Sequence, residues 1–230
     1  MTSDITFIIP VRKGSKRIRN KNTRSFARSS LLKIKLQQIV RIFKKPKILL
    51  SSDCKKSIQI AKKYTNNINL RPQKYCSDNI PMKKVYKYLA SLVKTKYICY
   101  LHVTSPLLKD KTLKEIVKLK NKITKKNKSH KYDSVTTVTN FQEYLWYKGR
   151  AINYDNNNHP RSQTLPVYQA LNFAVNIISK KQMFEQSRIV GKKFFPRVLS
   201  FPENLDIDEK WQFIVAEQIY KKFKKKIFSK

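Results

Sequence analysis

Residues 5–22 read ITFIIPVRKGSKRIRNKN, and the architecture of the chain can be worked out from this stretch. Its first six residues form a short apolar run, which indicates a buried strand. The residues from 12 to 20 then gather five cations around a single glycine, Gly14. Ligands of parallel α/β sheets bind beyond the carboxyl ends of the strands, where glycine lets the backbone turn tightly. The stretch therefore predicts a first strand that runs directly into an anion-binding turn.

As far as residue 120, the chain alternates short apolar segments with longer amphipathic ones. Further strands are predicted at 47–52, 68–72 and 97–103. Helices are predicted at 31–43, 54–64, 81–93 and 110–120, with Asp53 and Asp110 as N-terminal caps of the second and the fourth. This order predicts an α/β fold with a doubly wound, mostly parallel, Rossmann-like sheet and right-handed crossovers.

Each predicted helix carries one apolar face at the helical period. In the first, third and fourth helices these faces consist of Leu32, Leu36, Ile39, Val40 and Phe43, of Val85, Leu89 and Leu92, and of Leu113, Ile116 and Val117. A last helix is predicted at 208–223, with Trp211, Ile214, Val215 and Ile219 on one side.

The alternation changes after Asp133. Short strands are predicted at 133–141, 143–148 and 151–155, followed by a polar, proline-containing loop at 156–169 and a buried strand at 173–179. We expect residues 1–230 to form a single domain in which 133–168 is a small β insertion. This insertion is a candidate flap or dimer contact.

The chain is strongly basic, with 51 Lys and Arg against 14 Asp and Glu and a formal charge of +37. Such a field attracts anionic ligands. It is typical of a nucleic-acid-binding protein and equally of a protein with a Lys- and Asn-rich composition bias. The charge therefore favours an anionic partner without identifying it.

The three cysteines, Cys54, Cys76 and Cys99, are far apart and form no Cys-x-x-Cys motif. They indicate neither a disulfide framework nor a zinc site. The first ten residues lack the basic n-region of a signal peptide, and no apolar run approaches the ~20 residues of a membrane span. We expect a cytoplasmic protein.

The residue types in the first loop suit a phosphate ligand. Arg12 offers a planar fork, Ser15 a hydroxyl, and Lys16 and Lys21 mobile point charges. A nucleoside triphosphate is a compact polyanion that needs this chemistry, although the loop matches neither Gly-x-Gly-x-x-Gly nor the P-loop. A solvated basic loop remains the alternative.

Six segments, in order along nearly the whole chain, carry a resemblance to a known family. They are IIPVRKGSKRIRNKN (8–22), LSSD (50–53), LRPQKYCSD (70–78), YLHVTSPLL (100–108), PRSQTLPVYQALNFAVNII (160–178) and NLDIDEKWQFIVAE (204–217). Together they resemble the acylneuraminate cytidylyltransferases, also called CMP-sialic acid synthetases. The resemblance implies a sheet of the nucleotide-diphospho-sugar transferase type.

Members of that family join CTP to an acidic nine-carbon 2-keto sugar and release pyrophosphate, with Mg²⁺ assisting. The resemblance implies that CTP is held by one set of residues, namely Arg12, Gly14, Ser15, Lys16, Lys21, Asn22 and Arg71. Among these, Asn22 and Arg71 would contact the cytidine. Arg12, Lys16 and Lys21 would be catalytic because they offset the charge that develops on the leaving pyrophosphate, and Asp208 would be catalytic as a ligand of Mg²⁺.

Asp206 and Asp208 are the residues that the resemblance assigns to Mg²⁺. Two carboxylates at i and i+2 on an extended segment point to the same face, and Mg²⁺ prefers oxygen ligands. Capping of the helix that follows is the alternative role for Asp208.

The resemblance places the sugar near His102, Thr104, Arg161, Gln163 and Asn172. Four positions depart from the family's pattern, since Arg19 replaces a proline, His102 a glutamine, Ala170 an arginine and Phe173 a glycine. The nucleotide half of the pattern is thus better kept than the sugar half. A related sugar, such as legionaminic or pseudaminic acid, fits as well as sialic acid.

The leading hypothesis is a cytidylyltransferase for a sialic-acid-like 2-keto sugar acid, acting as a homodimer with no membrane partner. One alternative is a related nucleotidyltransferase for another sugar or nucleotide. A second is a basic nucleic-acid-binding protein, which is disfavoured because the aromatic residues fall mostly at inward positions of the predicted elements.

Overall fold

The computed structural model describes residues 2–123 and 132–227. The strands are β1 (Ile5–Pro10), β2 (Lys47–Ser52), β3 (Ile68–Leu70), β4 (Tyr97–Leu101), β5 (Ser134–Phe141), β6 (Trp146–Tyr147), β7 (Arg150–Ala151), β8 (Tyr168–Ser179) and β9 (Phe194–Val198). The helices are α1 (Leu31–Ile42), α2 (Lys55–Ala61), α3 (Met82–Ser91), α4 (Asp110–Lys118), α5 (Lys180–Gln186) and α6 (Lys210–Ile227).

Seven strands form one sheet in the order β3-β2-β1-β4-β8-β5-β9, and β6 pairs with β7 in a separate small hairpin. Pairing is parallel from β3 through β4 and between β5 and β9, whereas β8 runs antiparallel to both of its neighbours. The predicted α/β fold with a mostly parallel sheet is confirmed.

Helices cover both faces of this sheet because the central strands are apolar on both sides. Phe7 and Ile9 of β1 pack into a layer with α1, α4 and α6, while Ile8 packs into a second layer with α3 and α5. Successive strand residues point to opposite faces, so one continuous apolar run supplies both layers. This is the doubly wound arrangement that the first stretch of sequence predicts.

The chain order reverses between β1 and β4, which are adjacent in the sheet. The loop after β1 and the loop after β4 therefore diverge from neighbouring carboxyl ends and leave a crevice between them. In open α/β sheets such a switch point is where ligands bind.

Several element boundaries differ from the sequence-based prediction. The strands predicted at 143–148 and 151–155 shrink to two residues each, joined through Lys148 and Gly149, which both have positive φ. The strand predicted at 173–179 begins five residues earlier, because Tyr168–Leu171 pairs with β5. Since β5 belongs to the main sheet, only residues 142–167 of the 133–168 segment lie outside it. Helix α5 and strand β9 were not predicted.

The two acidic caps were predicted wrongly. The N-cap of α2 is Cys54 and that of α4 is Lys109, with no side-chain cap at either. Asp53 instead accepts a hydrogen bond from the backbone N–H of Lys13, at 2.7 Å. Asp110 accepts two hydrogen bonds from Arg41, at 2.6 and 2.8 Å. Both carboxylates accept hydrogen bonds from groups that are far away in sequence.

The apolar faces are correct for α4 and largely so for α1 and α3, but α6 differs. Val40 of α1 is exposed, whereas the other predicted residues of that face are buried. On α6 the buried side consists of Phe213, Ala216 and Tyr220, while Trp211 is 60% exposed. Ile214 and Val215 are also exposed. Within the described part of the chain, no helix is both long and apolar enough to span a bilayer.

Candidate active site

The loop after β1 is shaped by Gly14 and anchored by Asp53. Gly14 has φ +86°, a conformation that residues with a Cβ rarely adopt, and so the tight turn requires glycine. The Asp53 carboxylate binds the N–H of Lys13, next to this glycine, from the end of β2. The neighbouring strand therefore holds the loop in place.

A cavity of about 380 Å³ opens between this loop and the ends of β1 and β4. Its lining is mostly cationic and polar and consists of Pro10, Arg12, Ser15, Lys16, Arg17, Ile18, Lys21, Asn22, His102 and Asp208. Seven of these ten are residues that the sequence predicts for the site. A larger hollow of about 660 Å³ lies at the opposite end of the sheet, beside Tyr97 and Ser179, and none of the predicted site residues line it.

Two cations of the loop share one carboxylate. Arg12 and Lys16 both form ion pairs with Asp78, with Lys16 Nζ 2.7 Å from the carboxylate. The hydrogen bonds from Lys16 and Arg12 lower the pKa of Asp78. Arg12 also donates to the carbonyl of Cys76 at 3.0 Å. Both cations thus converge on one anion, as a phosphate ligand would require.

The far wall of the cavity comes from the segment before α6. Lys21 donates to the carbonyl of Ile207 at 2.6 Å and to Asp208 at 3.1 Å. Arg17 bridges Asp208 and Glu209, at 3.1 and 2.9 Å. The first loop is therefore tied to a segment that lies about 190 residues later in the chain.

Asp206 lies beside Asp208 and fits a divalent cation. One Asp206 oxygen is buried and makes no hydrogen bond within the described structure. Burial and, to a smaller extent, the charge of Asp208 raise the pKa of Asp206, although a hydrogen bond with the Thr104 side chain lowers it. A cation bound by both carboxylates would satisfy the orphaned oxygen and offset the repulsion. Among the described residues no three His, Cys, Asp or Glu side chains cluster, so phosphate and water would complete an octahedral Mg²⁺ site.

His102 forms part of the cavity floor as a neutral imidazole. Burial, with a smaller contribution from the charge of Lys21, lowers the pKa of His102 to about 4. Its Nε2 atom is buried and makes no hydrogen bond within the described structure. A neutral imidazole can donate one hydrogen bond and accept another, which suits a sugar hydroxyl or the edge of a base.

Four predicted site residues lie away from the cavity wall. Arg71 is buried and donates to the hydroxyl and the carbonyl of Ser51 at the end of β2. Asn172 donates to Thr139, at 3.1 Å. Arg161 and Gln163 are exposed in the loop before β8. Thr104 is adjacent, because its carbonyl accepts the N–H of Ile207 at 2.9 Å.

Sequence reasoning missed Arg17 and Asp78 as functional residues. Both lie inside quoted segments, Arg17 in the first loop and Asp78 at the end of LRPQKYCSD. An acidic residue in a chain of charge +37 is itself a signal, because 51 cations compete for 14 carboxylates. Carboxylates next to a basic loop are therefore candidates for its counterions.

Comparison with known proteins finds cytidylyltransferases among the relatives of this chain. The chain is 25% identical over 234 residues to the N-acylneuraminate cytidylyltransferase of Escherichia coli O18:K1:H7, covering 96% of this chain and 53% of that protein. It is also 25% identical over 230 residues to a Helicobacter pylori protein named as a pseudaminic acid cytidylyltransferase and UDP-2,4-diacetamido-2,4,6-trideoxy-beta-L-altropyranose hydrolase, covering 96% of this chain and 43% of that protein. The chain thus spans about half the length of these curated relatives.

Solved structures share the fold. A CMP:2-keto-3-deoxy-manno-octonic acid synthetase complexed with CTP superposes with a TM-score of 0.64 at 9% identity, covering 96% of this chain and 99% of the other. A cytidylyltransferase from Leptospira borgpetersenii superposes with a TM-score of 0.61 at 17% identity, covering 98% and 90%. The sequence model of the family described as Cytidylyltransferase matches residues 6–223. The chain therefore belongs to the cytidylyltransferase family of nucleotidyltransferases.

Proposed function

We propose that this chain transfers CMP from CTP to a nonulosonic, sialic-acid-like 2-keto sugar acid and releases pyrophosphate. The observation that carries the proposal is the cavity at the β1–β4 switch point, where Arg12, Ser15, Lys16 and Lys21 face Asp208. A polyanion bound there meets cations on one wall and a carboxylate pair on the other. The three thiols, two of them buried, suit the reducing cytoplasm as the compartment.

The proposed reaction is an in-line displacement at phosphorus. The anomeric hydroxyl of the sugar forms a bond to the α-phosphorus of CTP and loses its proton to solvent, while the bond from phosphorus to the bridging oxygen breaks. Arg12, Lys16 and Lys21 stabilise the negative charge that develops on the pyrophosphate. Asn22 and Arg71 contact the cytidine in this proposal, which requires the buried Arg71 side chain to turn from Ser51 toward the cavity. No side chain is assigned as a general base.

Asp206 and Asp208 are the proposed ligands of Mg²⁺, which supplies charge neutralisation and orientation to the phosphates when bound. Lys21 holds the backbone of the ligand segment through Ile207 and so links the phosphate loop to the carboxylates. Exchange of Lys21 and Arg17 from Asp208 to the phosphates would free that carboxylate for the cation.

The sugar is proposed to lie next to His102 and Thr104, with Arg161, Gln163 and Asn172 closing over it from the segment around β8. Arg161 is the candidate partner of the sugar carboxylate, because a guanidinium binds a carboxylate through two hydrogen bonds. Arg161 and Gln163 are exposed, so a movement of their loop toward His102 is part of this proposal. The relatives at 25% identity are named for N-acylneuraminate and for pseudaminic acid, and these two sugars are the first candidates, with the related legionaminic acid as a third.

The test is pyrophosphate release with each of the four nucleoside triphosphates, Mg²⁺ and a panel of 2-keto sugar acids. We expect release with CTP and one of the nine-carbon acids. Release only with an eight-carbon acid, or only with another nucleotide, would show that the chain is a related nucleotidyltransferase with a different substrate. No release with any pair would refute the proposal.

A substitution at the carboxylate pair tests the metal role. Asp208→Asn should lower Mg²⁺-dependent turnover by at least about 100-fold, because an amide ligates Mg²⁺ poorly, while leaving the thermal midpoint near that of the wild type. Glu209→Gln is the matched control, since Glu209 also pairs with Arg17 but is not a proposed ligand. Equal turnover in the two variants would contradict the assignment.

A further inference from the structure

Lys35 is a lysine in the core, on the face of α1 that packs against the sheet. Its side chain is fully buried, in a layer formed by Leu32, Leu36 and Ile39 of the same helix. Burial of an ammonium group is costly unless hydrogen bonds compensate it. Neither the helix nor the core layer needs a cation at this position, since an apolar side chain would pack there.

The ammonium group of Lys35 has two acceptors. It donates to the carbonyl of Ser105 at 3.1 Å and to the side-chain oxygen of Gln38 at 3.0 Å. Gln38 in turn donates to the carbonyl of Leu108 at 2.6 Å and to Asp110 at 3.1 Å. Helix α1 therefore holds the β4–α4 loop at its middle, through Ser105, and at its end, through Leu108 and Asp110.

That loop leads directly to the candidate metal carboxylates. Thr104 precedes Ser105, and its carbonyl accepts the N–H of Ile207, the residue between Asp206 and Asp208. A shift of the loop backbone at Ser105 would be passed to the carboxylate pair through this hydrogen bond and through the one between the Thr104 side chain and Asp206. The path from Lys35 to the pair involves only buried or half-buried groups.

We propose that Lys35 is a positioning residue whose buried ammonium group sets the main chain at Ser105 and thereby places the Asp206–Asp208 pair. The inference rests on the proposed function for its kinetic consequences. Its structural consequence, a loop held by one buried cation, does not depend on which reaction the chain catalyses. Because the lysine touches neither ligand nor carboxylate, it is not itself catalytic.

The charge state of Lys35 makes this role sensitive to pH. Burial lowers the pKa of Lys35 to about 8, and the negative charge of Asp110 on α4 opposes this shift. Cys99 on β4 also faces the ammonium group, as a thiol whose own pKa is raised by burial, and the charge of Lys35 contributes to the lowered pKa of His102. The unfolded chain keeps a lysine pKa near its ordinary value of 10.5. Between pH 8 and 10.5 the unfolded state binds more protons, so this group makes the fold more stable as pH rises. Its hold on Ser105 weakens over the same range, because a neutral amine donates a weaker hydrogen bond than an ammonium.

Above pH 8 the free energy of unfolding should therefore rise while the hydrogen bond that holds Ser105 weakens. A lysine with a purely structural role would not produce these two opposite changes. In the wild type we expect the Mg²⁺ concentration for half-maximal rate to rise several-fold from pH 7.5 to 9.5, while the midpoint of urea unfolding moves upward relative to Lys35→Met. In Lys35→Met the Mg²⁺ concentration for half-maximal rate should be about tenfold higher than in the wild type at pH 7.5. The rise between pH 7.5 and 9.5 that is expected for the wild type should be absent in this variant, because methionine does not ionise. The KM for CTP should stay within about twofold.

Lys33→Met is the matched control, because Lys33 lies on the exposed side of the same helix and loses the same charge. Amide hydrogen exchange of Thr104, Ser105, Leu107 and Leu108 gives a readout without turnover. Faster exchange there in Lys35→Met than in Lys33→Met is the expected result. If Lys35→Met does not fold, Lys35→Gln, which keeps a neutral donor, should show an intermediate effect.

Equal exchange and equal Mg²⁺ dependence in the Lys35 and Lys33 variants would overturn the inference. If the wild type releases no pyrophosphate with any substrate pair, the proposed function fails, and hydrogen exchange still decides the role of Lys35. Faster loop exchange with unchanged Mg²⁺ dependence would also overturn it, because the loop would then not place the carboxylates.

Discussion

At the scale of single residues, the site is built from cations whose counterions come from distant parts of the chain. Asp78 forms ion pairs with Arg12 and Lys16, and Asp208 forms ion pairs with Lys21 and Arg17, so each carboxylate offsets part of the charge of two cations. These carboxylates keep like charges close together in a loop that would otherwise repel itself. A triphosphate that enters the cavity offers the same cations more negative charge, so binding becomes an exchange of anions.

Asp78 should therefore compete with CTP. Asp78→Asn removes the charge that Arg12 and Lys16 must give up, and we expect the dissociation constant of CTP to fall by about two- to fivefold, the size expected for breaking partly exposed ion pairs. Isothermal titration with CTP measures the effect. Asp155→Asn, an exposed acid in the segment between β5 and β8, is the control for loss of negative charge. Weaker binding in the Asp78 variant would mean that Asp78 orients the cations instead of competing for them.

At the scale of elements, strand β8 carries a local irregularity at the site. Its pairing with β5 shifts register between Thr136 and Val138, and Phe173 within the irregular stretch has φ +54°. A left-handed conformation in a bulky residue is strained, and the family pattern described above has a glycine, which adopts this conformation freely, at this position. The phenyl ring packs beside His102, at 6.1 Å between ring centroids. The strained backbone at Phe173 thus coincides with the position where its ring packs against His102 in the floor of the cavity.

Substitutions at Phe173 should separate strain from packing. Phe173→Ala loses the packing and keeps the strain, whereas Phe173→Gly loses both, so we expect the glycine variant to have the higher free energy of unfolding by about 1 kcal/mol. Urea unfolding measures the difference. At the neighbouring Ala174, which has no positive φ, Ala174→Gly should instead destabilise by about 0.5–1 kcal/mol. An alanine variant at 173 that equals or exceeds the glycine variant would show that the backbone there is not strained.

At the scale of the whole molecule, the segment between β5 and β8 exposes several large apolar side chains. Trp146, Tyr147, Ile152 and Val167 are each more than half exposed. The first three belong to the β6–β7 hairpin and its flank, since Ile152 donates to the carbonyl of Leu145. Grouped exposed apolar residues are typical of contact surfaces, whereas scattered ones are ordinary. We propose this hairpin as the contact of a homodimer.

Disruption of the hairpin surface should shift the assembly to monomer. Ile152→Asp places a charge in the proposed contact, and we expect the dimer to weaken by at least about tenfold, because an unpaired charge in an interface costs more than about 1.4 kcal/mol. Sedimentation velocity over a range of concentrations checks this. Met82→Asp, at an equally exposed apolar site on α3, should leave the association unchanged. A wild type that sediments as a monomer at all concentrations would contradict the proposal.

The sequence by itself determined the parts that depend on local pattern. Periodicity and backbone preference depend only on residues that are close together in sequence. They were enough to predict the strand β1, the glycine turn after it and the amphipathic helices up to residue 118. The spacing of Asp206 and Asp208 is also a local feature, because side chains at i and i+2 of an extended segment point to the same face. Of the seven predicted members of the cavity lining, Arg12, Ser15, Lys16 and Lys21 are residue types that suit phosphate, whereas Asn22, His102 and Asp208 were predicted from the family resemblance.

Only the tertiary structure decided which distant groups meet. Asp53 and Asp110 look like helix caps in sequence, yet each binds a donor from another element, because a buried or crowded carboxylate is stabilised most by a fixed N–H or guanidinium. The exposed side of α6 was not predictable, since its apolar residues match the helical period on both faces. The burial of Lys35 was likewise hidden, because periodicity marks a position as inward but does not reveal the carbonyl of Ser105, 70 residues later, that makes an ammonium tolerable there.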